Sequence, residues 1–198
     1  GKRLLDIAAG GMILVISTPV QIAVALAVRK WLGSPALFRQ ERPGLSGLPF
    51  TILKFRTMTD DRDASGRLLP DDQRLNGFGR LLRSTSLDEL PELVNVVRGD
   101  LSLVGPRPLL TQYLERYTPR QAQRHTVRPG VTGLAQVSGR NNLSWDDRFE
   151  LDLRYVERVS LGLDLRILAR TVGKVIARDD VSAAGHVTMP EFEGRLRP

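Results

Sequence analysis

Residues 7–28 read IAAGGMILVISTPVQIAVALAV and contain no charged side chain. A straight helix over this stretch would be about 33 Å long, which matches the hydrocarbon core of one bilayer. The rival readings are a buried helix of a soluble protein, which would also be apolar on all sides, and a signal peptide. A signal peptide would be followed by small residues at a cleavage site, whereas Arg29, Lys30 and Trp31 follow here. The sequence therefore predicts a membrane-anchoring helix over 1–31.

The path of this helix in the membrane is set by its charges and its proline. Cations lie at both ends, Lys2 and Arg3 before the apolar run and Arg29 and Lys30 after it, so the positive-inside rule gives no orientation. Pro19 lies near the midpoint, where it removes a helical hydrogen bond and favours a kink. The preceding Ser17 and Thr18 carry hydroxyls that can satisfy the freed carbonyls. These residues leave two readings open, a simple spanning helix and a bent, re-entrant helix that leaves by the face it entered.

The rest of the chain, 32–198, has the composition of a compact domain. Short strands are predicted at 36–41 and 49–58, joined as a hairpin by the turn residues of RPGLSGL. An extended segment over 101–108 and a glycine-punctuated loop over 128–141 are expected between helices. Helices are predicted at 88–98 with Gly99 as C-cap, from Thr118-Pro119, at 145–158 with a Ser144/Asp147 capping box, and at 163–178. The fold class is therefore α+β, mostly helical, with a small β-hairpin.

The 163–178 helix carries a stripe of cations beside an apolar face. The apolar positions are Leu168, Val172, Val175 and Ile176, and the cations recur every fourth residue at Arg166, Arg170, Lys174 and Arg178. A solvated charged face is one reading of this pattern. A helix that lies in the membrane interface against anionic headgroups is the other, and the apolar anchor at 1–31 favours it.

The overall charge points to an anionic partner. The chain has 29 Lys and Arg against 22 Asp and Glu, a net charge of +7. Aromatic residues make up 6% of the chain, and zinc-finger, RRM-like and basic-zipper patterns are missing, which argues against nucleic acid. There is no cysteine, and His125 and His186 stand alone, so a metal would need oxygen ligands. Oxygen ligands indicate magnesium.

Adjacent carboxylates in SLDELPEL, residues 86–93, are the first candidates for chemistry. A capping box from Ser86 to Glu89 would place Pro91 where a helical N–H is needed, so a helix that begins at Asp88 fits better. An N-cap role for Asp88 is the ordinary structural explanation. On a helix Asp88 and Glu89 would point about 100° apart, which suits two separate tasks.

Basic residues surround these carboxylates in sequence and next to turns, a pattern typical of phosphate clamps. A competing site is the D-x-D triplet of Asp61 and Asp63, which would suit a metal-dependent glycosyltransferase. The P-loop and the G-x-G-x-x-G patterns are absent. A third reading is a non-enzymatic, membrane-bound basic module. The basic residues in question are Lys54, Arg56, Arg80, Arg83, Arg98, Arg107 and Arg140.

Three long motifs resemble the bacterial sugar transferase family, in particular its small monotopic polyprenyl-phosphate phosphoglycosyl transferases. They are ERPGLSGLPFTILKFRTM, LRSTSLDELPELVNVVRGDLSLVGPRP and RPGVTGLAQVSGRN, in the family's order, and the match covers nearly the whole chain. The long N-terminal extension of larger members is not expected here. The family's membrane helix is re-entrant and broken at Ser-Pro, so the resemblance favours a re-entrant helix with its kink at Thr18-Pro19.

The resemblance also implies a reaction and a site. A phosphosugar would pass from a UDP-sugar to polyprenyl (undecaprenyl) phosphate with release of UMP, at the cytoplasmic face of the bacterial inner membrane. This is the first membrane step of glycoconjugate synthesis, for O-antigen, capsule or exopolysaccharide. Asp88 would be the nucleophile that forms a covalent phosphosugar intermediate, and Glu89, with Asp88, would bind Mg²⁺. Residues matching the family's phosphate-binding positions are Arg83, Arg107, Arg140, Lys54 and Arg56. The sugar, the glycan pathway, the choice of monomer or homodimer, and the role of 179–198 stay open.

Overall fold

The computed structural model describes residues 1–139, 143–177 and 191–194. Helix α1, Lys2–Trp31, is one uninterrupted helix that contains Pro19. It is long and apolar enough to cross a membrane. The hydroxyls of Ser17 and Thr18 donate to the carbonyl of Leu14, at 3.2 and 2.9 Å. A proline at 19 frees the carbonyl of Val15, one residue further on. The two hydroxyls therefore bind the carbonyl of Leu14, in the turn before the proline. The prediction that they bind the freed carbonyl was wrong.

Both ends of α1 pack against the same domain. Near the start, the buried Asp6 accepts hydrogen bonds from the hydroxyl and backbone of residues 102–103. Near the end, Val24, Val28 and Leu32 join a buried apolar cluster with Phe55 and Leu82. Large apolar side chains between these anchors are exposed, among them Met12, Ile13, Val15, Ile16, Val20 and Ile22. The ends are therefore held by the domain while the middle of α1 offers an apolar surface.

The predicted hairpin is confirmed. Strands β1, Leu37–Pro43, and β2, Pro49–Phe55, pair antiparallel from Leu37 opposite Phe55 to Pro43 opposite Pro49. The turn between them contains a short 3₁₀ segment at Leu45–Gly47. Strand β2 contributes Lys54, its second-last residue, which forms an ion pair with Glu89 in the site described below.

Short helices and a second strand pair surround this hairpin. Strands β3, Ser102–Val104, and β4, Gly130–Thr132, pair in parallel, so the expected loop over 128–141 in fact contains a strand and a helix. Tight backbone packing explains the glycines there, because a Cβ on Gly130 would lie 2.0 Å from the backbone nitrogen of Gly105. The helices after α1 are α2 Asp71–Arg74, α3 Gly77–Ser84, α4 Glu92–Arg98, α5 Pro119–Ala122, α6 Leu134–Ser138, α7 Trp145–Glu157 and α8 Leu161–Ala177.

Several caps follow the sequence closely. Gly99 ends α4 in the left-handed conformation with φ of 101°. Thr118 begins α5 with a capping box, and Ser144 accepts a hydrogen bond from the backbone N–H of Asp147 at the start of α7. These local signals were therefore sufficient to place three helix ends.

Helix α8 packs one face on the core and leaves an apolar stripe exposed. Ile167 and Asp164 are buried, whereas four apolar side chains in the same 60° arc of the helix are exposed: Leu161, Leu165, Val172 and Ile176. Leu168 and Val175, predicted for this apolar face, are half-buried instead. Arg178 lies outside the described residues. The predicted amphipathic helix is confirmed. Because the Ile167 side packs on the core, the apolar stripe on another side of α8 is left exposed.

Candidate active site

Asp88 lies in a 3₁₀ turn and not at a helix N-terminus, so that prediction was wrong. Ser86, at φ of 55°, reverses the chain after α3, and Leu87–Glu89 form the 3₁₀ turn. Helix α4 starts four residues later than predicted, at Glu92, with Pro91 as its flanking residue. Pro91 lacks an N–H and so suits this position, where no helical bond is required of it. Successive residues of a 3₁₀ turn lie 120° apart, so the two carboxylates still point in different directions.

Glu89 is held by two cations from different parts of the chain. Its Oε1 accepts from the Lys54 ammonium at 2.8 Å and from the Arg107 guanidinium at 2.6 Å. Lys54 comes from β2, and Arg107 comes from the GPRP turn after β3. The structure therefore brings together Asp88, Glu89, Lys54 and Arg107, as the sequence predicted.

Glu92 is a third carboxylate of this cluster that sequence reasoning missed. Its side chain is almost fully buried, and its Oε1 lies 3.0 Å from the Lys54 ammonium, as an ion pair without hydrogen-bond geometry. Burial raises the pKa of Glu92 to about 7; Lys54 opposes that shift and Glu89 adds to it. The signal available in the sequence was its place in the first turn of a helix, three residues after Glu89, where helical side chains stack.

The pKa values of Asp88 and Glu89 are shifted in opposite directions. Burial raises the pKa of Asp88 to about 6, and the Glu89 carboxylate adds to the shift against the opposing charges of Lys54, Arg107 and Arg83. Burial acts on Glu89 in the same direction, but Arg107 and Lys54 outweigh it and hold the pKa of Glu89 well below its usual range. Glu89 is therefore held as an anion, and the pKa of Asp88 lies at about 6.

The remaining predicted phosphate-binding residues divide into three outcomes. Arg83 lies beside the cluster: its Nε donates to the Thr57 hydroxyl at 3.1 Å, and its charge acts on Asp88. Arg56 forms its ion pair with Asp60, at 2.6 Å, rather than with the Asp88–Glu89 pair. Arg140 lies outside the described residues.

Two further arginines, missed by sequence reasoning, lie close to Arg107. Burial lowers the pKa of Arg148 to about 10, and the charge of Arg107 adds to that shift. Burial and Arg107 likewise lower the pKa of Arg42. Both are far from the SLDELPEL motif in sequence, so only the fold shows their proximity. Together they extend the positive field around Arg107, which suits a substrate with several phosphate charges.

A buried ion pair supports the GPRP turn from behind. Arg124 lies 2.6 Å from Asp152, and both side chains are 2% exposed. The same Arg124 guanidinium donates to the backbone carbonyl of Arg107 at 2.7 Å. The main chain that carries Arg107 is thereby fixed by α7, which places its guanidinium against Glu89.

Comparison with known proteins agrees with this arrangement. Residues 1–178 match the family model described as bacterial sugar transferase. The chain belongs to the bacterial sugar transferase family. It is therefore an enzyme of the sugar-phosphate transferase class, as the motifs indicated.

Relatives of this transferase share its full length or extend beyond it. Sugar transferase EpsL of Bacillus subtilis is 53% identical over 98% of this chain and 96% of its own. The UDP-glucose:undecaprenyl-phosphate glucose-1-phosphate transferase of Caulobacter vibrioides is 42% identical over 90% of this chain and 71% of its own. The undecaprenyl-phosphate galactose phosphotransferase of Salmonella typhimurium is 40% identical, and the match covers 90% of this chain but 41% of that protein.

In the D-x-D triplet of this transferase, the Asp63 side chain binds nearby backbone N–H groups. Asp63 accepts from the backbone N–H of Ser65 at 2.8 Å and of Arg67 at 3.0 Å, which closes a tight turn. These hydrogen bonds, with that from the Ser65 hydroxyl first, lower the pKa of Asp63. The side chain is thus engaged as a turn-forming acceptor, so the geometry does not favour the metal-dependent glycosyltransferase reading of Asp61 and Asp63.

The carboxylates fit a magnesium ion only together with a substrate. No group of three or more His, Asp or Glu side chains suited to a metal occurs within the described ranges. Asp88 and Glu89 offer two carboxylates, and Oε1 of Glu89 is already shared by two cations. Magnesium is often bound by one or two carboxylates with substrate phosphates and water completing the shell. The donor set therefore suits Mg²⁺ that arrives with a diphosphate.

Proposed function

We propose that this transferase moves a phosphosugar from a UDP-sugar to polyprenyl phosphate, releasing UMP and forming a polyprenyl-diphosphate sugar. Residues 1–31 would anchor the enzyme and 32–198 would carry the chemistry. The undecaprenyl-phosphate sugar-phosphate transferases among its relatives support the substrate classes. The observation that carries the mechanism is the asymmetric pair: Glu89 tied to Lys54 and Arg107, with Asp88 buried beside it.

The first half of the reaction uses Asp88 as nucleophile. A carboxylate oxygen of Asp88 attacks the phosphorus that carries the sugar, the bond from that phosphorus to the bridging oxygen breaks, and UMP leaves with the electron pair. The product is an acyl phosphate between Asp88 and the sugar phosphate. Burial favours this step because a poorly solvated carboxylate has little water to lose before it attacks.

In the second half, a phosphate oxygen of the polyprenyl phosphate attacks the same phosphorus. The bond to Asp88 breaks, the carboxylate is restored, and the new P–O–P link is the lipid diphosphate. Arg107, Lys54 and Arg83 would neutralise the phosphate oxygens in both halves, which is a requirement for attack by one anion on another.

Mg²⁺ bound by Glu89, with Asp88 nearby, would polarise the diphosphate and stabilise the leaving UMP. The ion pairs to Lys54 and Arg107 hold Glu89 ionised and oriented before any substrate binds. Glu89 would therefore need no deprotonation to accept the metal that accompanies the donor.

The membrane placement follows from α1 and α8. Since both ends of α1 contact the same domain, we infer that both lie on one side of the bilayer and that α1 is re-entrant, with its bend at Thr18-Pro19. The exposed stripe of α8 would lie in the interface with its cations at the headgroups. We place the domain at the cytoplasmic face of the bacterial inner membrane, where UDP-sugars are found.

Intact mass spectrometry tests the covalent mechanism. The protein is incubated with Mg²⁺ and single UDP-sugars without lipid acceptor, and a mass increase of one phosphosugar is expected on wild type and not on Asp88→Asn. Polyprenyl phosphate added afterwards should remove the adduct. Release of UDP instead of UMP would contradict the proposal, and unchanged activity of Asp88→Asn would show that Asp88 is not the nucleophile.

A further inference from the structure

The Lys54 ammonium contacts two carboxylates that differ in their other partners. Oε1 of Glu89 accepts a hydrogen bond from it at 2.8 Å, and Oε1 of Glu92 lies 3.0 Å from it. Oε1 of Glu89 also accepts from the Arg107 guanidinium at 2.6 Å. Among the residues that the structure describes, Lys54 is the only cation within ion-pair distance of Glu92. Glu89 is therefore shared by two cations, whereas Glu92 forms an ion pair with Lys54 alone.

Hydrogen bonds between α4 and β2 keep Glu92 close to Lys54. The fully buried Asn95 lies one turn after Glu92 on α4. Its Oδ1 accepts from the backbone N–H of Leu53 at 3.1 Å, and its Nδ2 donates to the carbonyl of Thr51 at 2.8 Å. Leu53 directly precedes Lys54 on β2. The helix and the strand are thus joined beside the ion pair, so the two backbones set the distance between its partners.

Burial of the Glu92 carboxylate is unfavourable for the stability of the protein. Its side chain is 2% exposed, and its Oε1 has no hydrogen-bond partner in the described part of the chain. A buried carboxylate in this state costs free energy, and one ion pair often fails to offset that cost. A neutral amide of the same shape would cost less. Stability therefore does not account for a charged group at this position, whereas a task for the Lys54 ammonium would.

We propose that Glu92 is a positioning residue that holds the Lys54 ammonium in place for the phosphates of the substrate. This rests on the proposed function, in which Lys54 and Arg107 neutralise phosphate oxygens. A bound phosphate competes with Glu89 for these two cations, because it carries charge of the same sign. A lysine released by Glu89 would move on its flexible side chain unless a second anion held it. Glu92 is that second anion, on a helix that Asn95 fixes to β2.

Glu92→Gln removes the charge of this side chain and keeps its shape. All measurements are made at pH 8, above the pKa of about 7 to which burial raises Glu92. Because burial of the carboxylate is unfavourable, we expect the Tm of Glu92→Gln to equal that of the wild type or to exceed it. Glu150→Gln is the matched control, since Glu150 forms an exposed ion pair with Arg120. A clear fall in the Tm of Glu92→Gln would show that its ion pair serves stability, and would overturn the proposal.

The reactivity of Lys54 toward acetic anhydride measures how firmly its ammonium is held. Burial opposes the charge of Lys54, but Glu89 and Glu92 outweigh it and raise the pKa of Lys54. Loss of the Glu92 charge should therefore speed acetylation of Lys54, by about threefold or more relative to Lys30 in the same molecules. Peptide mass spectrometry measures both lysines. An unchanged ratio in Glu92→Gln would overturn the proposal, and Glu150→Gln should leave the ratio as it is in the wild type.

Calorimetric binding of UDP in the presence of Mg²⁺ tests the consequence for the substrate site. If Glu92 acted only as a nearby anion, it would repel the diphosphate, and Glu92→Gln would bind UDP more tightly. If Glu92 positions Lys54, its loss should weaken UDP binding about tenfold, and Glu150→Gln should bind as the wild type does. Tighter or unchanged binding by Glu92→Gln would overturn the proposal and leave the proposed function standing. A wild-type protein that forms no adduct with UDP-sugars would instead refute the proposed function.

Discussion

The guanidinium of Arg107 lies 2.6 Å from the carboxylate of Glu89, on a turn that Arg124 fixes through the Arg107 carbonyl. This contact makes the two adjacent carboxylates different, because it stabilises the anionic form of Glu89 while Asp88 lies buried beside it. The two adjacent carboxylates therefore differ in their electrostatics: the pKa of Asp88 is raised and that of Glu89 is lowered.

Loss of the Arg107 charge should be costly. Arg107→Gln removes a partner of Glu89 and, by the proposed mechanism, a donor to the substrate phosphates, so we expect kcat/KM to fall about 10²-fold or more. Arg56→Gln is the matched control: Arg56 pairs with Asp60, and we expect less than a tenfold loss. Steady-state UMP release measures both, and an equal loss in the two variants would place Arg56 in the phosphate site after all.

The first half-reaction should depend on pH through Asp88. The attacking group is the carboxylate, and burial raises its pKa to about 6. The rate of adduct formation should therefore rise with pH up to about 6 and level off above it, whereas an ordinary aspartate would level off near pH 4. A flat profile between pH 5 and 8, measured by quenched-flow UMP release with stability checked at each pH, would contradict the assignment.

The stability of the protein should also report on Asp88. Its pKa is raised on folding from 3.8 to about 6, so the folded state binds the proton more tightly than the unfolded state does. Burial of the Asp88 carboxylate therefore does not change the free energy of unfolding below pH 3.8. It lowers that free energy progressively between pH 3.8 and 6, and by up to about 3 kcal/mol above pH 6. Asp88→Asn should raise Tm at pH 7.5, and the gain should disappear by pH 4. An equal gain at both pH values would point to packing instead of charge.

Two glycines of α3 should respond in opposite ways to alanine. A Cβ on Gly79 would lie 1.9 Å from the carbonyl oxygen of Thr57, which is backbone and cannot move aside cheaply. Gly79→Ala should therefore destabilise the protein by about 2 kcal/mol or more. Gly77→Ala meets nothing and should be neutral or slightly stabilising, since alanine favours a helix. Thermal unfolding of both variants tests the close contact between α3 and Thr57, two residues after the end of β2.

Local sequence signals predicted what depends on local chemistry. The hairpin, the Gly99 cap and the Thr118 and Ser144 caps were predicted because turn residues and capping side chains act within a few residues. The start of α4 was wrong because Ser86 adopts a left-handed conformation, which is uncommon for serine and has no sequence signal.

Non-local contacts decided the rest of the site. Lys54, Arg107 and the Asp88–Glu89 pair were grouped by resemblance to a family, and their contacts needed the fold. Arg42 and Arg148 were missed because nothing in their own segments distinguishes them from surface charges. Glu92 was missed although it lies three residues after Glu89, in the first turn of a helix. Strand β3 lies within the extended segment predicted over 101–108, but its partner β4 and their pairing were missed, since three-residue strands paired across a crossover leave no periodic pattern.

The contacts at the start of α1 have a consequence for how the protein is made. Lys2 donates to Asp164, 162 positions later in the chain, and Asp6 accepts from Ser102. During synthesis α1 emerges before α8, so Asp164 does not yet exist when the apolar run of α1 leaves the ribosome. The contacts that join the start of α1 to α8 therefore form only after α8 has been synthesised, so the position of α1 on the domain is fixed late in folding.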